Sequence, residues 1–235
     1  MYNLIYLIFP PLLYAFVIYL TSPYKSISLK LSAYYFMAGI LSTGLLDILN
    51  IISPYDRTVF ILNPFQFYFM EIAVHEEVAK LAAFLIVYAA FKKKDSHPIG
   101  IMFYMGVVGL GFALIENIGY FRSYGEQVIV IRNATSTLAH MIFGMFTGYW
   151  ISLSGIRKGK YGNRSIFDIF LLKYKNLRFI VYSIIGLLCG IMYHGLWNYN
   201  LKTSGDASQS IMILMIIIGL IGCKFASDNL LNSRK

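Results

Sequence analysis

IGIMFYMGVVGLGFALIENIGYF, residues Ile99 to Phe121, is a run of 23 residues in which Glu116 is the one formally charged side chain. A helix rises about 1.5 Å per residue and a hydrocarbon core is about 30 Å thick, so a run of this length crosses a bilayer. Apolar and polar residues do not alternate along it, which excludes the strand of a membrane β-barrel. Read as a membrane helix, the run sets the class of the whole chain. Of the 235 residues, 58% are hydrophobic and 13% charged, and the mean hydropathy is +0.64, values far from those of a water-soluble monomer. Two cysteines, Cys189 and Cys223, both lie in apolar stretches and form no disulfide framework.

Working outward from that run, seven stretches are long enough to span: Asn3–Leu20, Leu31–Ile52, Tyr68–Phe91, Ile99–Phe121, Val128–Leu153, Phe179–Asn200 and Gln209–Ala226. The first has neither a basic leader nor a small-residue cleavage site, and Pro10 and Pro11 lie inside it, so it is expected to remain as a helix. The net charge of +9 does not point to nucleic acid, because the basic residues cluster between the apolar runs instead of lining one polar face. Fifteen of the 20 Lys and Arg residues fall on one side of the membrane: Lys25 and Lys30, Lys92 to Lys94, seven from Arg157 to Arg178, Lys224, Arg234 and Lys235. Short cytoplasmic loops collect such residues, which puts the N-terminus outside and the C-terminus in the cytoplasm. No repeat, inverted-repeat halves or low-complexity tract divides the chain, so residues 1–235 read as a single all-α, polytopic membrane domain in the cell membrane.

Function is carried by polar residues placed where they are costly. Glu76, Glu77 and Lys80 lie in the third span, Glu116 and Asn117 in the fourth, Arg132 and His140 in the fifth, and His194 and Asn198 in the sixth. The five charged ones, left facing lipid at mid-helix, would cost on the order of 12 to 18 kcal/mol. They are therefore expected to face the bundle interior or water. Counted along straight helices, Arg132, Glu116 and His194 lie roughly 6 to 9 Å below the outer surface, Glu76 and Glu77 about 12 to 14 Å, and His140 about 18 Å. Four spans thus send acids and imidazoles into the outer half, which predicts one shared chamber.

Glu76 with Lys80 is an i, i+4 pair and Glu77 with Lys80 an i, i+3 pair, so one ammonium reaches either carboxylate and leaves an acid over. A neutral structural ion pair is the plain alternative for this trio. As a set, the residues suit hydrolysis: a carboxylate takes a proton from water, and imidazole and carboxamide donors stabilise the oxyanion. No GxSxG elbow is present, and Ser152 and Ser154 lie near the cytoplasmic end. Asp47 is the one clear intramembrane Asp, which disfavours a two-aspartate protease. His75-Glu76 begins like HExxH, but Ala79 stands where the second His belongs. No cofactor is expected on this reading; a divalent metal such as zinc, held by Glu116, His140 and His194, stays open as a minority alternative.

HEEVAK at 75–80, GFALIEN at 111–117, His140 and HGLWN at 194–198, in that order, resemble the PrsW family of intramembrane proteases. That family is a branch of the superfamily holding the CAAX-prenyl proteases and the bacteriocin-immunity (Abi) proteins, and the likeness covers residues 68–200. The resemblance implies a glutamic-type, membrane-embedded peptidase that makes the first, extracytoplasmic-side cut in a single-span anti-sigma factor, as part of a stress-response signal pathway. It implies Glu76, Glu77, Glu116 and His194 as motif residues, with His140 beside them. Lys80, Asn117 and Asn198 are expected in support, the last paired with His194 at the oxyanion. CAAX-prenyl relatives carry EExxxR and FxxxH where this chain has EExxK and FxxxE, so prenyl-cysteine substrates are not implied. Two rival readings are an ion- or proton-coupled membrane transporter, since buried carboxylates and histidines also form relays, and a non-catalytic immunity or binding membrane protein.

Overall fold

Inside hydrocarbon a chain must satisfy its backbone N–H and C=O groups within each segment, and helix is the local solution. In the computed structural model, which describes residues 2–22, 27–54, 63–91, 98–155 and 175–232, every regular element is helical and no strand occurs among the described residues. The long helices are α1 (Tyr2–Thr21), α2 (Leu29–Ile52), α3 (Val74–Phe91), α4 (Pro98–Tyr124), α5 (Glu126–Ala134), α6 (Ser136–Gly155), α7 (Lys175–Thr203) and α8 (Ser208–Asn232). α1 runs unbroken through Pro10 and Pro11. Most of the basic residues used to orient the chain, among them Lys25, Lys92 to Lys94, Arg157 and Arg234, lie outside the described residues.

Among the described residues, five helical segments are long and apolar enough to cross a membrane: Leu29–Ile52, Pro98–Tyr124, Glu126–Gly155, Asn176–Thr203 and Gly205–Asn232. α3 is not among them because Glu76, Glu77 and Lys80 sit within its 18 residues. Large apolar side chains stand exposed along α1, α2, α7 and α8, as at Ile51 and Phe225. Contiguous apolar surface of this kind is a liability in water and the expected face toward lipid.

The run that decides the class, α4, becomes the central post. Within its most apolar window 94% of the residues are buried, and α2, α6, α5, α3 and α1 all pack against it. Glycine sets how near α6 comes. A Cβ added at Gly109 would lie 2.2 Å from the His140 carbonyl oxygen, and one at Gly144 would lie 2.3 Å from that of Met105. Backbone meets backbone along this seam, and a side chain at either position would hold the helices apart. The spaced pair Gly186 and Gly190 likewise lets α7 approach Thr147 on α6.

Two local departures from straight spans matter for the site. Residues Phe67–Ala73 form a π-helical segment that leads directly into α3. The expected fifth span, Val128–Leu153, is not one straight rod. Its helix breaks at Thr135 (φ −124°, ψ −78°), where α5 ends and α6 begins. At the break Thr135 turns its hydroxyl back onto the Ile131 carbonyl at 2.8 Å.

Candidate active site

HEEVAK presents its acids at the start of α3, where helical rotation sends neighbouring residues in different directions. Glu77 turns inward. Its Oε1 accepts from Lys80 Nζ at 2.8 Å and from His194 Nδ1 at 2.9 Å, and the residue is 1% exposed. Glu76 turns toward a cavity of about 550 Å³, whose wall also includes Glu116, Arg132, His140, Trp197 and Asn198. Its Oε2 lies 3.5 Å from Lys80 Nζ and 3.7 Å from His194 Nε2, yet it is buried without a hydrogen bond.

Lys80 joins this pair to the next helix, since its ammonium also donates to His140 Nδ1 at 3.0 Å. With that nitrogen accepting, a neutral His140 carries its proton on Nε2 and donates it to Glu116 Oε2 at 2.7 Å. Arg132 Nη2 donates to the same oxygen at 2.7 Å. The Lys80 ammonium also lies 4.1 Å from the centre of the Phe112 ring, one turn before Glu116. Asn117 is fully buried and acts as a bracket: its Oδ1 accepts from Arg132 Nε at 2.8 Å, while its Nδ2 donates to Asn133 and Thr137. Asn133 in turn donates to the Tyr6 carbonyl and so ties the site to α1.

The residues singled out from the sequence thus meet. His140 was expected about 9 Å or more deeper than Glu116; its backbone lies beside Gly109, seven residues or about 10 Å before Glu116 along α4, and the two side chains span that distance to hydrogen-bond at 2.7 Å. Asn198 lines the cavity one turn after His194. Arg132 was conspicuous as an intramembrane charge but had no role; its fork onto Glu116 and Asn117 supplies one. The π-helical segment, Asn133 and Thr137 had no signal in the sequence that named them.

A compact set of possible ligands is present. Glu76, His140 and His194 each bring one donor atom within 4.8 Å of the others, and all three are buried. This differs from the trio read from the sequence, with Glu76 replacing Glu116, whose Oε2 is occupied by Arg132 and His140. With neutral histidines, three carboxylates face the cations of Lys80 and Arg132, so the cluster holds one surplus negative charge.

Residues 28–221 match the family model described as PrsW family intramembrane metalloprotease. The chain belongs to the PrsW family. It is 30% identical over 164 residues to a protein named Protease PrsW from Oceanobacillus iheyensis, a match covering 68% of this chain and 67% of that one. It is 28% identical over 123 residues to another Protease PrsW, from Shouchella clausii, covering 52% of this chain and 48% of the relative. No solved structure matches. Membership in the PrsW family makes the chain a multi-pass membrane protein of the intramembrane protease class, and the matched span contains every residue of the cluster described above.

Proposed function

We propose that the chain is an endopeptidase of the cell membrane that hydrolyses a peptide bond of a single-span membrane protein at the cavity bounded by Glu76, Glu116, His140 and His194. The observation that carries this reading is Glu76 Oε2: a buried carboxylate oxygen without a hydrogen bond, in a residue that, unlike Glu77 with its own unbonded Oε2, lines the cavity. Such an atom is the natural partner for a water molecule or for a cation.

Hydrolysis then proceeds as follows. A carboxylate takes one proton from water, the water oxygen bonds to the substrate carbonyl carbon, and the carbonyl electrons move onto oxygen. When the C–N bond breaks, those electrons return, and the leaving amine takes the proton. His140 and Glu116, already hydrogen-bonded at 2.7 Å, form a short path for that proton. His194 is oriented by Glu77, and Glu77 is itself held by Lys80.

The family description names a metalloprotease, and the donors fit a divalent ion: Glu76 and the two histidines would hold it, with Glu77 fixing His194 from behind as metal-bound histidines are commonly fixed. Such an ion would acidify the water and polarise the carbonyl. On that reading Glu116, whose Oε1 makes no hydrogen bond to a described residue, is the proton acceptor. A metal-free, glutamic mechanism is the second reading, favoured by the position of Lys80, whose ammonium already sits 3.5 Å from Glu76. There Glu76 is the base.

We further propose seven crossings with the N-terminus outside, the cavity on the outer side and a substrate of the anti-sigma-factor class cut first at that side. The distribution of Lys and Arg and the motif resemblance support this. Purified full-length chain, reconstituted with candidate single-span substrates and assayed with chelator and with zinc added back, tests the function and its type together. Cleavage lost to chelator and restored by zinc is expected for the metal reading. Cleavage indifferent to chelator leaves the glutamic one, and no cleavage of any single-span substrate sinks the peptidase proposal.

A further inference from the structure

Hydrolysis of an amide needs donors for the oxygen that becomes negative, and His194 is poorly placed to be one. Its Nδ1 is spent on Glu77 Oε1 at 2.9 Å, and its Nε2 looks toward Glu76 Oε2 at 3.7 Å. Whether His194 is neutral or charged, both ring nitrogens already have carboxylate neighbours.

Arg132 has donors to spare. A guanidinium carries five N–H groups in one plane. Nε is used on Asn117 and Nη2 on Glu116, while Nη1 makes no hydrogen bond to any described residue. Arg132 is 7% exposed and lines the same cavity as Glu76 and His140. Its plane is fixed from three directions: Tyr120 lies under it with Cζ 3.7 Å from the ring centre, Glu116 holds one edge, and Asn117 holds another. Asn117 is itself pinned by Asn133 at 3.2 Å and Thr137 at 2.9 Å. A charge balanced by one carboxylate alone would not require this much scaffolding, whereas a preorganised donor does.

We propose that Arg132 is a catalytic residue of this chamber, its unspent N–H groups donating to the substrate carbonyl oxygen as it becomes the tetrahedral oxyanion. The proposal rests on the peptidase reading above. When water adds to the carbonyl carbon, the electron pair of the C=O bond moves to oxygen beside Nη1; it returns when the C–N bond breaks, so Arg132 neither gains nor loses a proton. α5 and α6 contribute Arg132 and His140 to one wall of the cavity.

The test uses the full chain in detergent or bilayer with a single-span substrate that the wild type cleaves. Arg132→Lys keeps a positive charge opposite Glu116 but has one nitrogen where three are needed. Its kcat is expected to fall about 100- to 1,000-fold with KM changed less than about threefold. The affinity for a peptide phosphonate, which mimics the tetrahedral state, should fall by about the same factor as kcat/KM. Arg132→Ala should regain at least about tenfold activity on addition of guanidinium, which a merely structural cation would not give. R132K with kcat and phosphonate affinity near wild type overturns the role of Arg132 alone. So does R132A that folds, by its melting temperature, and is indifferent to guanidinium. A wild-type chain that cleaves nothing overturns the peptidase reading and this proposal with it.

Discussion

Glu76 and Glu77 are adjacent in sequence and share the counter-ion Lys80, yet they live in different surroundings. Each keeps one buried oxygen without a hydrogen bond, but Glu77 is enclosed by Lys80 and His194 and does not line the cavity, whereas Glu76 borders it. One residue of helical rotation, about 100°, separates a group that organises the chamber from a group that meets its contents. A paired-acid motif is thus a division of labour, and charge counting cannot make the division.

The sharpest way to break that comparison is to remove each charge in turn. Glu76→Gln should lower kcat by about 1,000-fold or more while membrane levels and melting temperature stay near wild type, because a cavity-facing amide can be hydrated. Glu77→Gln should instead cost about 3 to 5 kcal/mol of stability, read as a lower melting temperature in detergent, since Lys80 is fully buried and loses its nearest anion. Matching losses of activity and stability in both variants would erase the distinction. Pairing Glu77→Gln with Lys80→Met sharpens it further: the double variant should recover about 2 kcal/mol relative to the sum of the singles, because it removes an uncompensated charge. Strict additivity would mean that the 2.8 Å contact carries no coupling.

A smaller effect is expected away from the acid pair. Asn117→Ala frees Arg132 and leaves Thr137 and Asn133 short of a partner, at about 1 to 2 kcal/mol. Its kcat should drop roughly tenfold through the loosened guanidinium, measured against the Glu116→Gln variant to separate the two neighbours.

The class of the molecule was legible because hydropathy is a local property: a run such as Ile99–Phe121 is too apolar to be anything but a membrane or core helix wherever it folds. So were the polar residues, since a charge in hydrocarbon is costly in any tertiary arrangement and must find company. The partners those residues find were not legible, because they lie on other helices: Lys80 bonds His140, 60 residues on, and His194 bonds Glu77, 117 residues back.

What the sequence determined by itself was composition along the chain, and with it helix, membrane, the ordered acids and histidines and the family they resemble. Which glutamate borders the cavity, which nitrogen of Arg132 is unspent, and which acid joins the two histidines were decided only by how the helices pack, the glycine seam between α4 and α6 included. The physical reason is range: transfer free energy belongs to each residue, whereas a hydrogen bond is set within a few tenths of an ångström by helices distant in sequence.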